Sequence, residues 1–236
     1  MKIGIIVATI QEINATKKLF NDVKTEKIYD LEFFEGNIEK NNKKSKDSIV
    51  LVKSGIGKVN AGRVAQILID KFAVDEIINI GAAGAINPIL NIKDIVIGSE
   101  LVQYDYDTSA LGETEKGEID GVGKYLKSDE KLIKKCTDAI DRMKNKDFKY
   151  ILGRIATADQ FCSDKEKANK IREQFNAECV EMEGAAVAQV CKLDNVPFIV
   201  IRGISDSPNG NNCIDYKKYC EIAATQVSNL IKEMTI

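Results

Sequence analysis

The stretch from Pro197 to Asp206 reads Pro-Phe-Ile-Val-Ile-Arg-Gly-Ile-Ser-Asp, an apolar run that delivers a cation and a carboxylate to one end. Phe198 to Ile201 are apolar and largely β-branched, as in a strand buried on both faces of a parallel sheet. Arg202, Ser205 and Asp206 follow at its C-terminal end, ahead of the turn residues Ser207-Pro208-Asn209-Gly210. Polar or glycine-rich departures recur at comparable places. Glu12 follows an apolar opening, a glycine turn from Gly81 to Gly84 follows Glu76 to Ile80, and Phe161 and Cys162 follow Tyr150 to Thr157. Glu181 and Glu183 close the run from Cys179. Each has a plain structural explanation: a glutamate in a first helical turn suits the helix dipole, an aspartate starts a turn, and an arginine pairs with an acid. Their joint placement says more. Ligands of parallel sheets bind at the carboxyl ends of the strands, so these groups would meet on one rim.

The absence of histidine from all 236 residues narrows the chemistry. It excludes Ser-His-Asp and Cys-His triads, histidine-ligated metals and an imidazole base. The six cysteines at 136, 162, 179, 191, 213 and 220 form no C-x-x-C pair, so reduced core cysteines are expected rather than disulfides or a metal site. Gly55-x-Gly57 lacks the last glycine of a dinucleotide fingerprint. Gly57-Lys58 lacks the earlier glycine and the Ser/Thr of a P-loop. No cofactor is expected. A net charge of −2 offers nothing to nucleic acid or an anionic membrane, and no apolar run approaches the roughly 20 residues of a span. A soluble, cytoplasmic protein is expected. What remains is hydrolysis by paired carboxylates: one acid protonates a leaving group while another carboxylate activates water, as in inverting glycosidases. The residues alone leave the substrate open.

The elements that must position these groups alternate. Strands are expected at Lys2 to Ala8, Ile28 to Ile38, Ser48 to Lys53, Glu76 to Ile80, from Asp94, Tyr150 to Thr157, Cys179 to Glu181 and Phe198 to Ile201. Helices are expected at Gln11 to Phe20, Lys58 to Phe72 (with Val59, Ala61, Val64, Ala65, Ile67 and Leu68 on its apolar side), Lys131 to Asn145, Lys165 to Gln174, Gly184 to Lys192 and Tyr216 to Met234. The lysine-rich stretch 41–47 reads as a solvated hairpin loop, and residues 108 to 127 as a long irregular segment of the kind that forms lids or interfaces. The pattern predicts one α/β domain over 1–236, with a central, largely parallel twisted sheet flanked by helices.

Five segments occur in a fixed order: Met1-Lys-Ile-Gly-Ile-Ile6 with Glu12, Lys53-Ser-Gly-Ile-Gly-Lys-Val59, Asn79-Ile-Gly-Ala-Ala-Gly84, Val180-Glu-Met-Glu183 and Arg202-x-Ile-Ser-Asp206. Together they resemble the 5′-methylthioadenosine/S-adenosylhomocysteine nucleosidases of the purine nucleoside phosphorylase-like superfamily, over almost the whole chain. The resemblance implies water-dependent cleavage of the N-glycosidic bond of 5′-substituted adenosines, 5′-deoxyadenosine included. It makes Asp206 the general acid to adenine N7, with Ser205 orienting it, and Glu12 the base for water, with Arg202 nearby. Glu183 would hold the ribose hydroxyls and Met182 line the ribose. Phe161 would stack on the base, the Cys162 backbone read its edge, and Gly84 admit close backbone approach. Ile56, Tyr104, Leu111 and Tyr216 are candidates for the 5′ pocket. The family's homodimers complete each site from the neighbouring subunit, a contact that 103–123 would supply here. Two departures stand out: Ala82 replaces the Ser or Thr of many relatives, and the histidine many carry near Tyr104 or Asp105 is missing. The alternatives are an aminofutalosine-type nucleosidase, a phosphorylase, or a silent nucleoside-binding protein.

Overall fold

The computed structural model describes residues 1–40, 43–44, 47–112, 114–144, 146–207 and 212–235. The first half contains β1 (Lys2–Val7), α1 (Ile10–Lys17), β2 (Phe20–Ile28), β3 (Leu31–Lys40), β4 (Lys43–Lys44), β5 (Ser48–Lys53), α2 (Lys58–Phe72), β6 (Glu76–Ala85) and β7 (Ile95–Gln103). After a 3₁₀ turn at Ser109–Leu111 come β8 (Leu126–Lys127), α3 (Glu130–Arg142), β9 (Tyr150–Thr157), α4 (Lys165–Phe175), β10 (Ala177–Glu181), α5 (Gly184–Leu193), β11 (Phe198–Asp206) and α6 (Asn212–Met234).

The sheet has a parallel heart. β5, β1, β6 and β11 lie side by side in one direction. Antiparallel β3 and β2 extend one edge. On the other side β7 runs antiparallel to β11, and β9 and β10 follow parallel to β7. β10 then pairs back onto β6, antiparallel, through Cys179↔Ala85 and Val180↔Gly84. This closes β6, β11, β7, β9 and β10 into a ring. The fold is therefore the expected α/β class, with antiparallel ladders at the edges and at the closure.

Side chains of successive strand residues point to opposite faces, and β1 shows the consequence. Ile3, Ile5 and Val7 join an apolar cluster with Leu132 of α3 and Val227, Leu230 and Ile231 of α6. Ile6 joins the opposite cluster with Val64 and Leu68 of α2 and Ala185 and Val187 of α5. Both faces of the sheet are covered, so its strands read as continuous apolar runs.

Several expectations are corrected. α1 ends at Lys17, and Phe20 opens β2 rather than closing the helix. β2 is a polar, mostly exposed edge strand paired with β3 in a hairpin from Ile28↔Leu31 to Phe20↔Ile38, so its own composition carries little signal. The strand expected from Ile28 breaks at Tyr29-Asp30, where Tyr29 takes φ +55° without a glycine. Val59 is 81% exposed on α2, while Ala61, Val64, Ala65, Leu68 and Phe72 are buried. Gly81 to Gly84 form no turn: β6 runs unbroken to Ala85. β11 likewise continues through Asp206, so Arg202 and Ser205 lie within the strand. The turn at 207–210 falls outside the described residues except for Ser207. So does the loop 41–47, except for β4 and Asp47.

Candidate active site

A cavity of about 310 Å³ opens where the ends of β1, β6, β10 and β11 meet. It is lined by Glu12, Ile56, Ala82, Gly84, Phe161, Met182, Glu183, Ser205, Asp206 and Tyr216, together with Ala8, Thr9, Ala83, Val180 and Glu181. Its volume is that of a small-molecule site.

Glu12 is held there by backbone. Thr9 caps α1, and Glu12 at the third helical position returns the bond in a capping box. Glu12 Oε2 accepts from the N–H of Ala8 and of Thr9, each at 2.8 Å, and Oε1 accepts from the Ala82 N–H at 3.0 Å. The structural and the functional explanation of this glutamate are therefore both satisfied. The third bond spans 70 residues and ties α1 to β6.

Asp206 pairs in register with Gly84 of β6 and is 2% exposed. Ser205 donates its hydroxyl to Asp206 Oδ1 at 2.7 Å. A Cβ on Gly84 would stand 3.1 Å from Asp206 Oδ2, so the glycine is what lets the carboxylate lie against β6.

Glu183 and Glu181 divide two tasks. Glu183 stands at the N-cap of α5, yet its side chain does not cap the helix. Glu181 does so instead, its Oε2 accepting from the N–H of Glu183 at 3.0 Å and of Gly184 at 2.7 Å. That leaves Glu183 free to face the cavity, where its Oε1 accepts from the Gly57 N–H at 3.0 Å. Burial pushes the Glu183 carboxyl up to about 7, against the pull of Arg202 and the Gly57 N–H; Glu181 and Glu12 push the same way as burial.

Arg202 is corrected from a cavity residue to a buried one. At 1% exposure it does not line the cavity. It binds Glu181 and Asn79 and lies 3.7 Å from Glu183. Burial works against its charge, but the surrounding carboxylates outweigh it and keep the guanidinium a cation. The place beside it is open because Gly81 has no side chain: a Cβ there would meet Arg202 Nη1 and sit 2.8 Å from Glu12 Oε1.

Phe161 and Tyr216 close the outer wall, edge to face with ring centroids 5.9 Å apart. Burial pushes the Tyr216 phenol up to about 12, so it stays a neutral donor. The side chains of three candidates do not line the cavity. Tyr104 is buried beneath α4 among Ala168, Ile171 and Phe175, facing a neighbouring cleft. Leu111 is 75% exposed on the 3₁₀ turn. Cys162 packs in the same cluster as Tyr104, its thiol reaching the Asp164 carbonyl at 3.8 Å. Conversely, Thr9 lines the cavity without having been expected there, and Glu181, expected on the rim, lines it without a role having been assigned to it. The Val180-Glu-Met-Glu183 segment signalled Glu181, but only its capping bonds reveal what it does.

The site thus gathers four buried carboxylates around an apolar cavity whose described lining includes no lysine or arginine. Such a site, on this α/β sheet, has the size for a small molecule and the carboxylates for acid–base chemistry on it. The family model of the phosphorylase superfamily matches residues 2–235. A 5′-methylthioadenosine/S-adenosylhomocysteine nucleosidase of Anoxybacillus flavithermus is 37% identical over 236 residues, covering 99% of this chain and 97% of the relative. The crystal structure of the corresponding Colwellia psychrerythraea nucleosidase in complex with adenine superposes with a TM-score of 0.92 at 34% identity, covering 100% and 94% of the two chains. A futalosine hydrolase of Helicobacter pylori gives 0.90 at 31% identity, covering 99% and 97%. The chain belongs to the phosphorylase superfamily and, within it, to the 5′-methylthioadenosine/S-adenosylhomocysteine nucleosidase family.

Proposed function

We propose that the protein hydrolyses the N-glycosidic bond of 5′-methylthioadenosine and S-adenosylhomocysteine, and of 5′-deoxyadenosine, releasing adenine and the 5′-substituted ribose. The observation that carries this reading is the meeting of Glu12, Glu183 and Asp206 at one cavity whose described lining offers no cation to a phosphate.

In this reading Asp206, oriented by Ser205, gives a proton to adenine N7 as the base leaves. Phe161 stacks on the base and the Cys162 backbone reads its edge. Positive charge develops on the sugar, where Glu183 holds the hydroxyls and Met182 lines the ring. Glu12, fixed by three backbone donors, takes a proton from the attacking water. Ile56 and Tyr216 border the 5′ substituent. Leu111, exposed and away from its own cavity, would reach a neighbour's in a homodimer. Activity is expected in the cytoplasm, from a single-domain chain and without a cofactor.

Adenine release measured with and without phosphate tests the reaction. Equal rates support hydrolysis; dependence on phosphate would make the protein a phosphorylase, and no release from any 5′-substituted adenosine a binding protein. The likeness to a futalosine hydrolase favours one second reading, a 6-amino-6-deoxyfutalosine-type nucleosidase. Comparing kcat/KM across the 5′ substituents separates the two.

A further inference from the structure

The Gly55-Ile56-Gly57-Lys58 stretch joins β5 to α2 and has the wrong residues for a phosphate loop. Its geometry shows another use. Gly57 takes φ +104°, a conformation that side chains disfavour, and a Cβ there would stand 3.0 Å from Asp159 Oδ1. The next N–H, that of Lys58, donates to the same Asp159 oxygen at 2.8 Å. Lys58 Nζ reaches Asp105 Oδ1 at 2.6 Å, with both side chains only 18% exposed. Asp105 Oδ2 accepts the Asp159 N–H at 3.0 Å, closing a ring of three residues.

The ring joins three segments that are distant in sequence: the start of α2, the residues just after β7, and the loop after β9 that carries Phe161. None of its members lines the cavity. It adjoins Gly57, whose N–H binds Glu183. We propose that the Lys58–Asp105–Asp159 clamp positions the reaction's machinery, fixing the Gly57 N–H against Glu183 and the Phe161 loop at a set distance from it. The inference rests on the nucleosidase reading, in which Glu183 serves the ribose and Phe161 the base. The pair is largely sheltered from water, so opening it costs stability as well, and the variants are compared by KM and pH profile where they remain folded.

Glu183 faces Arg202 of β11, Glu181 of β10, Glu12 of α1 and Tyr216 of α6, and α2 offers it the Gly57 N–H. Loosening that donor disfavours the carboxylate. Any step that needs Glu183 ionised then retreats to higher pH.

The test uses K58M, D105N and the double variant, with K58R as the conservative control. Adenine release from 5′-methylthioadenosine is followed in water from about pH 5 to 9. Each single variant is expected to raise KM by roughly tenfold or more, as misplaced binding groups do. The acid limb of kcat/KM should move upward by about half a pH unit or more. The double variant should be no worse than either single one, because a ring opens once. K58R should stay near wild type, and circular dichroism is used to establish that each variant compared is folded. Unchanged KM and an unmoved acid limb in folded variants would overturn the clamp, as would independent, additive losses. Should K58M not fold, D105N reads the same quantities, since it leaves the backbone of residues 57–59 intact. If the wild type releases no adenine from any 5′-substituted adenosine, the nucleosidase reading itself fails, and that shows before any variant is made.

Discussion

At the scale of single residues the site is a matter of which carboxylate holds which proton. Glu12→Gln and Asp206→Asn should each lower kcat by on the order of 10²–10⁴ while thermal unfolding stays near wild type. Near-normal adenine release by either variant would remove it from the role assigned here. Glu183 supplies a different signature. Its carboxyl is raised from 4.5 to about 7, so the folded chain binds that proton more tightly than the unfolded one. Its contribution to stability is complete below pH 4.5 and is lost as pH rises through 7. Glu183→Gln removes this titration. Wild-type stability relative to the variant should therefore fall across that window, at no more than about 1.4 kcal/mol per pH unit. Urea unfolding at several pH values measures it, and a flat difference would contradict the assigned shift. Glu12, Glu183 and Asp206 were legible in the sequence because a chain without histidine has few other groups for acid–base work. Arg202 was legible as a charge but not as a neighbour. Whether it faces solvent, substrate or Glu181 depends on register with β6 and β10, strands about 120 and 20 residues away.

At the scale of elements, β6 and β10 do the placing. Gly81 of β6 leaves room for both Arg202 and Glu12, so Gly81→Ala would push a methyl into two charged groups at once. Overpacking of this kind costs about 1–3 kcal/mol, and adenine release should fall with it. Denaturant midpoints together with kcat check both. Glu181 ends β10, caps α5 and neutralises Arg202, with both side chains 1% exposed. Glu181→Gln leaves the guanidinium with less charge compensation. Breaking a buried pair costs about 3–5 kcal/mol, so a loss under about 1 kcal/mol would show that the pair is dispensable. The glycines of β6 read as a turn because glycine usually marks one. Only the close approach of β11 and α1 explains a glycine-rich strand. β2 escaped detection for the opposite reason: its nine residues have an exposed, charged pattern, and the hairpin partner that makes them a strand lies after a turn lacking glycine.

For the whole molecule, no described helix is long and apolar enough to cross a membrane, and the open question is association. Leu111 and Val59 are largely exposed apolar side chains. If the homodimer proposed here forms, sedimentation should give twice the 26.1 kDa chain mass. Leu111→Asp should then raise KM for 5′-methylthioadenosine several-fold or more, as lost apolar contact with a ligand does, without altering the folded subunit. A monomer of full activity would refute the arrangement. The sequence by itself determined the chemistry available and the layers that carry it: carboxylates without histidine, apolar strands alternating with helices, and a buried β-branched strand ending in Arg202, Ser205 and Asp206. Composition and short-range periodicity suffice for these because they depend on residue type and near neighbours. The tertiary structure alone decided which groups meet. It turned Arg202 inward onto Glu181, made Glu181 rather than Glu183 the cap of α5, and sent Tyr104 beneath α4 instead of into the cavity. Those choices follow from strand register and the closure of β10 onto β6, contacts between residues about 20 to 120 positions apart that no local pattern records.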